Sequence, residues 1–546
     1  MDKITVNGFL GANLAFDELL LPANVGVQSL NQRPGFGDLR PWNDPGAPVE
    51  ALPASPQRLT MYRMNQDVAS EDDYWLGWSA IVHAVRGFEN EDTAERTYYS
   101  GDGTPKWTDT TLALGGGPPY PQAWRELGVP APTTALVATV NTAAVSGTDQ
   151  AFSWVYTFVN DLGWESRPSE VSNILVAKPG TTFDLAGFDT APAGAYGITS
   201  IRLYRFVPGS GTSGSYFLLR EFVIGSTPAN PVDDARAVGS AEVATTGWRP
   251  PPSDGHSLTK LWNGMMALAS GKSVYISEPY KHYAWPLAYL LEFPVKVIGM
   301  AVWGQQLLVL TTGDAYVVTG STPAGLDDEP TKINQPCTSV RGIVEFNEGD
   351  GARGVVWPSE SGLCWYGDGG YRNLLEGVLT REQWQTLAPS TMVAGRHRGL
   401  YVCFYNDGAL KGFVIDPRNP QGIYFLSVGY RAVFRDPISD RLYVLDGANV
   451  RRWDAGSAMT TTFRSKVYQT PVPIKIGAVE VIAKSYPVAV KMWADGTLRL
   501  DRSVSSQNPV RPTGNWMADR FQFEIATSGR VLSLRAAVSV DDLRTP

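Results

Sequence analysis

Short apolar runs alternate with turns built on Asp and Gly along most of this chain. The stretch LCWYGDGGYRN (363–373) has apolar residues on its left, Gly-Asp-Gly-Gly in its middle and an aromatic residue on its right. Asp and Gly adopt the positive φ values that tight hairpin turns need, so this stretch predicts two antiparallel strands joined at the turn. The same pattern occurs in four further stretches, MMALASGKSVYIS, LLVLTTGDAYVV, YVCFYNDGALKGFVI and LYVLDGANVRRW.

These hairpins recur at a regular spacing. Their turns are centred near Gly271, Gly313, Asp368, Asp407 and Asp446, at intervals of roughly 40 to 55 residues, which is typical of the blades of a β-propeller. Another apolar strand and a polar bend precede most of the copies, as in VIGMAVWGQQ and MVAGRHRG. The pattern therefore predicts a β-propeller of about six blades.

One further copy, RTYYSGDGTPKW (96–107), lies too far upstream to be the neighbouring blade. Between them, FSWVYTFVN alternates aromatic residues as a half-buried strand does, and ITSIRLYRF and SYFLLREFV follow it around the glycine-rich tip PGSGTSG. Strands of this length and spacing predict a β-sandwich of the fibronectin or immunoglobulin kind. Removing this segment restores the blade spacing, so we interpret it as an insertion in the propeller.

The chain is therefore predicted to be all-β. Residues after 457 lose the blade period but keep alternating strands, which predicts a second β-sandwich, and the first 60 residues are rich in Pro and Gly. The predicted segments are an extended N-terminal arm (1–60), the first part of the propeller (61–131), the inserted fibronectin-like β-sandwich (132–248), the main part of the propeller (249–457) and the C-terminal β-sandwich (458–546).

Composition supports strands and argues against tight binding of nucleic acid. The chain has 546 residues with 55 Gly, 39 Pro, 17 Trp and 23 Tyr, a combination that favours turns and short strands over helices. Its formal net charge is −8, and no cluster of Lys and Arg stands out. Proteins that grip a phosphate backbone usually present a basic face, so we expect DNA to be bound weakly.

Cysteine usage and hydropathy indicate the cellular compartment for which the protein is suited. Three cysteines, Cys337, Cys364 and Cys403, lie far apart, and the last two are in apolar runs where Cys packs as a small hydrophobic residue. An odd, scattered set does not form a disulfide framework and suits a reducing cytoplasm. No run approaches 18 apolar residues, and the N-terminus lacks the layout of a signal peptide, so we expect neither membrane insertion nor conventional secretion.

Motifs for catalysis, metal binding and cofactor binding are absent from the sequence. The four histidines are His83, His256, His282 and His397, and no two of them have the spacing of metal ligands. We interpret the histidines as solvated loop residues, His256 after a Pro-rich linker and His397 in the bend GRHRG. Neither a phosphate-binding loop nor a nucleophile elbow occurs. The sequence therefore predicts no catalytic, cofactor-binding or metal-binding residues, no cofactor, and a protein that is not an enzyme.

Three weaker motifs are interpreted as structural. SGDGTPKW (100–107) has the composition of the Asp-box turn of sialidase propellers, but its Asp-to-Gly spacing differs. FNEGDGARG (346–354) is acidic enough to suggest Ca²⁺, yet it lacks the alternating oxygen ligands of a calcium loop, so we interpret it as a solvated turn. The dipeptide Trp453-Asp454 is like the blade ending of WD repeats, but no other blade has it.

Several longer segments resemble structural proteins of tailed phages and prophages. They are SLNQRPGFGDLRPWNDP, YYSGDGTPKW, YPQAWRELGVPAP, SEPYKHYAWP, VIGMAVWGQQLLVLTTGDAYVVTGSTPAG, NQPCTSVRGIV and LTREQWQTLAPSTM. Together they span most of the chain. In architecture, the chain is similar to the β-propeller tail proteins of short-tailed phages, which are called nozzle or tail tubular proteins.

This resemblance implies a role in the virion tail. Members of the family form sixfold rings below the portal and the adaptor, and genomic DNA passes through the central channel. The expected partners are therefore other copies of the chain in a homohexamer, the adaptor or head-to-tail connector, and other tail proteins. DNA would pass without specific binding, and the protein would be made in the cytoplasm of the bacterial host. Two alternatives stay open, a receptor-binding tail protein and a carbohydrate-active tail protein, because propellers also carry such sites.

Overall fold

The computed structural model describes residues 3–64, 74–88, 92–208, 214–226, 228–347, 349, 351 and 353–544. The chain is all-β, with 45% of residues in strands and 5% in helices, which confirms the predicted all-β class. Its strands form many small sheets, and none of the described sheets is closed. The α-helices of the described ranges are one turn long: α1 (Thr110–Leu114), α2 (Arg381–Gln385) and α3 (Val540–Arg544). No helix in these ranges combines the length and the apolar composition that crossing a bilayer requires.

The strands are numbered in chain order. The first sixteen are β1 (Lys3–Val6), β2 (Gly26–Leu30), β3 (Pro48–Ala51), β4 (Thr60–Arg63), β5 (Trp75–Trp78), β6 (His83–Arg86), β7 (Thr97–Ser100), β8 (Lys106–Thr108), β9 (Arg125–Glu126), β10 (Val137–Thr142), β11 (Gln150–Phe152), β12 (Trp154–Asn160), β13 (Leu175–Ala177), β14 (Thr182–Ala186), β15 (Ile198–Pro208) and β16 (Gly214–Val223).

The next sixteen strands cover the middle of the chain. They are β17 (His256–Lys260), β18 (Met266–Ser270), β19 (Ser273–Ile276), β20 (Leu291–Glu292), β21 (Val297–Trp303), β22 (Gln306–Thr311), β23 (Asp314–Thr319), β24 (Asp327–Asn334), β25 (Val344–Phe346), β26 (Gly354–Pro358), β27 (Leu363–Gly367), β28 (Gly370–Asn373), β29 (Val393–His397), β30 (Leu400–Asn406), β31 (Leu410–Ile415) and β32 (Tyr424–Leu426).

Ten strands complete the described chain. They are β33 (Val433–Arg435), β34 (Leu442–Asp446), β35 (Asn449–Arg452), β36 (Thr461–Ser465), β37 (Tyr468–Ile474), β38 (Ala478–Ala483), β39 (Val488–Ala494), β40 (Thr497–Val504), β41 (Ala518–Thr527) and β42 (Val531–Ala537). Contacts divide the chain into two compact units: Met1–Ile81, Ile298–Val317 and Glu329–Pro546 form the first, and Val82–Val297 and Val318–Asp328 form the second.

The predicted hairpins are confirmed. β18–β19, β27–β28, β30–β31 and β34–β35 are antiparallel pairs, β22 is hydrogen-bonded to β23, and the upstream copy forms the antiparallel pair β7–β8. Gly271 and Gly447 have φ values of 59° and 61° at their turns, in the left-handed region that Gly enters without a steric penalty. These strand pairs were therefore predictable from the residues at their turns.

In the first compact unit, sheets of four strands follow one another along the chain. Their hydrogen-bonded orders are β21-β22-β23-β24, β25-β26-β27-β28 and β3-β35-β34-β33, and a two-stranded sheet joins β4 to β5. A larger sheet has the order β29-β30-β31-β32-β2-β36-β41-β39-β40, with β37 also paired to β41.

The first 60 residues supply strands to sheets formed by distant parts of the chain. β1 pairs with β42, β2 lies between β32 and β36, and β3 pairs with β35. All of these sheets belong to the first compact unit. The N-terminal segment is therefore extended and contributes main-chain hydrogen bonds along much of its length.

The second compact unit contains two four-stranded sheets, β6-β7-β8-β9 and β17-β18-β19-β20. Between them in the sequence, residues 137–223 form the sheet β12-β15-β16 and the pairs β10-β14 and β11-β13. The predicted strands ITSIRLYRF and SYFLLREFV are confirmed as β15 and β16, which pair antiparallel. Residues 209–213 of the tip between them lie outside the described residues.

One sequence expectation about this segment is wrong. FSWVYTFVN was expected to be half-buried, yet all seven residues of β12 are buried. Its aromatic face packs with Phe183 and Leu185 in an apolar core. Its other face is covered as well, since the Thr157 hydroxyl donates a 2.6 Å hydrogen bond to Glu165. A polar residue on a covered face cannot be recognised from alternation alone.

Three serines close the free edge of β12. We call Ser166, Ser169 and Ser172 the serine ladder. Each serine donates its backbone N–H to a carbonyl of β12 and accepts, through its hydroxyl oxygen, the N–H of the same residue. The pairs are Ser172 with Trp154, Ser169 with Tyr156 and Ser166 with Phe158, at 2.9–3.2 Å. The outer edge of the sheet is thereby paired, although none of the described strands pairs with β12 on this side.

Candidate functional site

The histidines lie in more enclosed positions than the sequence suggested. The expectation of a solvated loop residue is wrong for His397, which ends strand β29 and is 7% exposed, and for His256, which begins β17 and is half-buried. His282 is 2% exposed. The bend of GRHRG begins one residue later, at Arg398, which has a φ of 52°.

Burial keeps several of these imidazoles neutral at neutral pH. It lowers the pKa of His83 to about 4, with a further contribution from the nearby His256. It also lowers the pKa of His282 to about 4, and the charges of Lys260 and Arg96 act in the same direction. A histidine with a pKa near 4 is a poor general acid or base at pH 7. These side chains therefore pack as neutral rings.

The three cysteines are buried free thiols of the first compact unit. Burial raises the pKa of Cys337 to about 12, and it also raises the pKa values of Cys364 and Cys403. The thiolate is the reactive form of cysteine, so a raised pKa makes these side chains unreactive.

Among the described residues, no group of three or more His, Cys, Asp or Glu side chains is placed to hold a metal ion. Glu348 and Asp350 of the acidic stretch 346–354 lie outside the described residues, so the interpretation of that stretch as a solvated turn stays a prediction.

A charged cluster is centred on Asp454, the second residue of the WD dipeptide. We define the Asp454 cluster as Arg33, Asn43, His397, Arg398 and Asp454. The Asp454 carboxylate accepts hydrogen bonds from the guanidinium of Arg33 and from the backbone N–H of Asn43, the latter at 3.1 Å. The His397 imidazole lies 3.5 Å and the Arg398 guanidinium 3.7 Å from its other oxygen. The cluster therefore joins the N-terminal segment to the ends of β29 and β35.

Aromatic packing supports this cluster. The Arg33 guanidinium lies 4.6 Å from the centre of the Trp42 ring, and Trp42 packs at 5.9 Å against Trp453. Burial alone would raise the pKa of Asp454, but the contacts with His397 and Arg33 outweigh it and hold this pKa below its ordinary value. Asp454 is therefore ionised at neutral pH. Because these contacts join residues 33 and 43 to residues 397, 398 and 454, we interpret the cluster as a structural staple between distant parts of the chain.

One cavity of the described chain is a groove in the first compact unit. We call it the C-terminal groove. It has a volume of about 660 Å³ and is lined by Asp17, Glu18, Leu19, Arg464, Val467, Trp493, Asp495, Gly496, Asp519, Arg520, Phe521 and Gln522. Strands β36, β39 and β41 form its floor, the turn between β39 and β40 forms one wall, and the loop between β1 and β2 forms another.

The floor of the C-terminal groove is ordered by its own contacts. The Arg464 guanidinium lies 4.2 Å from the centre of the Trp493 ring and donates a 2.8 Å hydrogen bond to the side-chain oxygen of Gln522. The Gln522 amide in turn donates to Glu18 at 3.1 Å. The Arg464 guanidinium therefore covers one face of the Trp493 ring.

The rim of the C-terminal groove is acidic. Asp17, Glu18, Asp495 and Asp519 oppose two guanidiniums, those of Arg464 and Arg520. An excess of carboxylate oxygens suits a ligand that donates hydrogen bonds or carries positive charge, such as sugar hydroxyls or a basic side chain. Sequence reasoning missed this groove because its walls come from residues 17–19 and from residues beyond 463.

Comparisons with known proteins leave the family open. The sequence matches no protein-family model and no curated protein. The chain is similar to a solved structure of the extracellular domain of a hybrid two-component system from B. thetaiotaomicron. The identity is 11%, the match covers 69% of this chain and 47% of that chain, and the TM-score is 0.26. The chain thus spans about half of that domain.

Two further solved structures show similarity at the same level. AztD from Citrobacter koseri has 10% identity, with 67% of this chain and 99% of that chain covered and a TM-score of 0.25. PorZ, a surface component of the type-IX secretion system of Porphyromonas gingivalis, has 12% identity, with 83% of this chain and 76% of that chain covered and a TM-score of 0.25.

Proposed function

We propose that this chain is a structural subunit of a phage tail, a nozzle-like ring that forms part of the channel through which genomic DNA is held and ejected into the host. In this proposal the chain is a β-propeller of about six blades with an inserted fibronectin-like β-sandwich and a C-terminal β-sandwich. The resemblance of long sequence segments to tailed-phage structural proteins supports the proposal, and so does the all-β fold.

The order of the sheets is the observation that carries the proposal. Small antiparallel sheets follow one another along the chain, and the first strand of one sheet contacts the first strand of another. In the first compact unit β25 contacts β29, β29 contacts β33, and β33 contacts β4; in the second, β17 contacts β6. In a β-propeller the first strand of each blade lies nearest the central axis. Contacts between the first strands of successive sheets are therefore expected where blades surround a common axis.

Assembly and location in the virion test this function. The purified full-length chain is expected to form a ring with the mass of six copies, measured by mass photometry. Cryo-electron microscopy of the virion should place the ring below the adaptor, with DNA in its channel. A monomer under all conditions, together with its absence from the tail axis, would contradict the proposal.

The C-terminal groove favours a second candidate, a receptor-binding or carbohydrate-active tail protein, because its acidic rim offers acceptors for sugar hydroxyls. Release of reducing sugar from host surface polysaccharide would support the enzyme, and binding to host cells without such release would support the adhesin. Either activity should be lost in the double variant Asp495→Asn/Asp519→Asn. Ring assembly without either activity would favour the conduit.

A further inference from the structure

A second cavity, of about 270 Å³, brings two arginines together. We call it the arginine pocket, and its lining includes Arg341, Ser390, Asn406, Tyr430 and Arg431. It belongs to the first compact unit and is separate from both the C-terminal groove and the Asp454 cluster.

The pocket lies where several sheets begin. Arg341 precedes β25, Ser390 precedes β29, and Arg431 precedes β33. Each of these strands is the first of its group along the chain, so three segments that lead into such strands meet at the pocket. Leu59, which precedes β4, lines the same cavity. Loops that enter adjacent sheets from one end are a common position for ligand sites, because rigid strands hold their residues in place.

Neither arginine of the pocket has an acidic partner among the described residues. The Arg341 guanidinium donates one hydrogen bond, at 2.9 Å, to the backbone carbonyl of Arg431. A guanidinium carries five N–H donors, so the other four of Arg341 have no acceptor in the part of the chain that the structure describes. Burial lowers the pKa of Arg341, and the nearby charge of Arg431 lowers it further.

Two carboxylates near the pocket are paired with other cations. Asp407 lies near Tyr405, which lines the pocket, and forms a 2.9 Å ion pair with Lys411. Asp446 and Asp44 both lie near Tyr430, and Asp446 lies 3.1 Å from Arg451. Among the described residues, no acidic side chain forms an ion pair with Arg341 or Arg431.

The remaining lining combines hydrogen-bond donors with an apolar wall. Ser390 and Asn406 add a hydroxyl and a carboxamide, and neither side chain donates a hydrogen bond to another described group. Val393, Leu410 and the buried ring of Tyr430 add apolar surface. The two guanidiniums carry positive charge, Ser390 and Asn406 offer hydrogen-bond donors, and the apolar side chains lie beside them. Such a site is complementary to a small organic anion.

We propose that the arginine pocket binds a small organic carboxylate, with Arg341 and Arg431 holding the carboxylate and Ser390 and Asn406 holding neighbouring polar atoms. The pocket's volume is slightly below the usual range for drug-sized ligands, which limits the ligand to about the size of a monosaccharide or an aromatic acid. The proposal does not depend on the role of the chain in a phage tail.

Calorimetric titration of the full-length protein with benzoate and with glucuronate tests the proposal. The neutral counterparts, benzyl alcohol and glucose, and inorganic phosphate serve as comparison ligands. We expect at least one carboxylate to bind, its neutral counterpart to bind at least roughly tenfold more weakly, and phosphate to bind more weakly than the carboxylate. A terminal glucuronate on an oligosaccharide should bind as well as the free sugar if the natural source is a glycan, and more weakly if the source is a free acid.

Variants separate the pocket from the general charge of the protein. Arg431→Gln and Arg341→Gln should each weaken carboxylate binding at least roughly tenfold, and Arg341→Lys should restore only part of it, since Lys keeps the charge without the planar fork. Arg511→Gln removes an exposed arginine outside the pocket and should bind like the wild type. Thermal unfolding with and without the carboxylate shows that each variant is folded.

Three results would overturn the proposal. They are the absence of carboxylate binding up to about 10 mM, equal binding of the neutral counterparts, and equal weakening by Arg511→Gln. Carboxylate binding and ring assembly are measured in separate experiments, so a failure of carboxylate binding is distinguishable from a failure of the proposed tail function.

Discussion

Asp454 illustrates how one residue connects distant parts of this chain. Its side chain is 2% exposed, and its ion pair with Arg33 joins positions 421 residues apart. A buried carboxylate without partners would be strongly destabilising, so Asp454 is tolerated because it is paired on several sides. The staple depends on all of its partners, which makes it sensitive to substitution and to pH.

The variant Asp454→Asn should lower the free energy of unfolding by about 3 kcal/mol at pH 7, because it leaves the largely enclosed Arg33 without its counter-charge. Since the folded-state pKa of Asp454 lies below its unfolded value, the stabilisation is present above about pH 5 and is lost as the pH falls through the folded pKa. The difference between wild type and variant should therefore shrink in acid, which urea unfolding at several pH values measures.

Asp368→Asn is the matched control for this prediction. Asp368 pairs with Arg353 at 2.8 Å, but half of its side chain is exposed. Exposed ion pairs contribute at most about 1 kcal/mol, so this variant should change stability little. Equal losses in the two variants, or a loss in Asp454→Asn that does not change with pH, would contradict the assignment of Asp454 as a buried staple.

The three cysteines should be unreactive and dispensable. Replacing Cys337, Cys364 and Cys403 together by Ala removes three small buried side chains and should cost roughly 1 kcal/mol per site, while leaving ring assembly intact. Because burial raises their pKa values, iodoacetamide should label them slowly in the folded protein at pH 8 and rapidly in urea. Rapid labelling of the folded protein, or a bound metal lost in the triple variant, would show this prediction to be wrong.

At the scale of the element, the serine ladder shows how a sheet edge is closed without a regular strand. The serines are three residues apart in the sequence, Ser-x-x-Ser-x-x-Ser. Each pairs with one residue of β12, and these partners, Phe158, Tyr156 and Trp154, are two residues apart because alternate residues of a strand face the same edge. The same double contact occurs where Ser277 meets Met266, and the Ser465 hydroxyl accepts the N–H of Phe523 in the same way. In each case the hydroxyl oxygen accepts a buried N–H that would otherwise be left unpaired.

Ser169→Ala should lower the free energy of unfolding by about 1–2 kcal/mol, because the N–H of Tyr156 loses its acceptor in a buried place. Hydrogen exchange should accelerate most at Tyr156. Ser146→Ala, at an exposed loop position, is the control and should alter neither stability nor exchange. If the two variants behave alike, the hydroxyl contacts of the ladder do not stabilise the sheet.

At the scale of the whole molecule, net charge bears on the proposed conduit. The chain has a formal net charge of −8, with 54 Asp and Glu against 46 Lys and Arg. A DNA channel must let a polyanion slide without capturing it, and acidic walls repel phosphate groups where basic walls would retain them. We therefore expect the channel-facing residues of the assembled ring to be richer in Asp and Glu than in Lys and Arg.

The purified ring should bind duplex DNA no better than weak non-specific levels at physiological salt, measured by fluorescence anisotropy across a series of salt concentrations. Once a structure of the ring shows its lumen, changing lumen residues to Lys should permit assembly and packaging but slow DNA ejection. Substitution of the same number of outer-surface residues by Lys is the control. Tight, salt-sensitive binding by the wild type, or a predominantly basic lumen, would contradict the prediction.

The sequence by itself determined the all-β class and the positions of the hairpins. These features are local: the alternation of apolar residues and the Asp/Gly turns near Asp368, Asp407 and Asp446 act between residues that are close in the chain. The apolar placement of Cys364 and Cys403 was predictable for the same reason, because their neighbours on each side are strand residues.

Only the tertiary structure decided which distant residues meet. The pairing of β1 with β42, the closing of the C-terminal groove by residues 17–19, and the approach of Arg341 to Arg431 all depend on the path of the chain between them. The burial of His397 and of the second face of β12 likewise depends on what packs against each strand. Periodicity in the sequence indicates which face of a strand is apolar. It does not identify the segments that pack over the polar face.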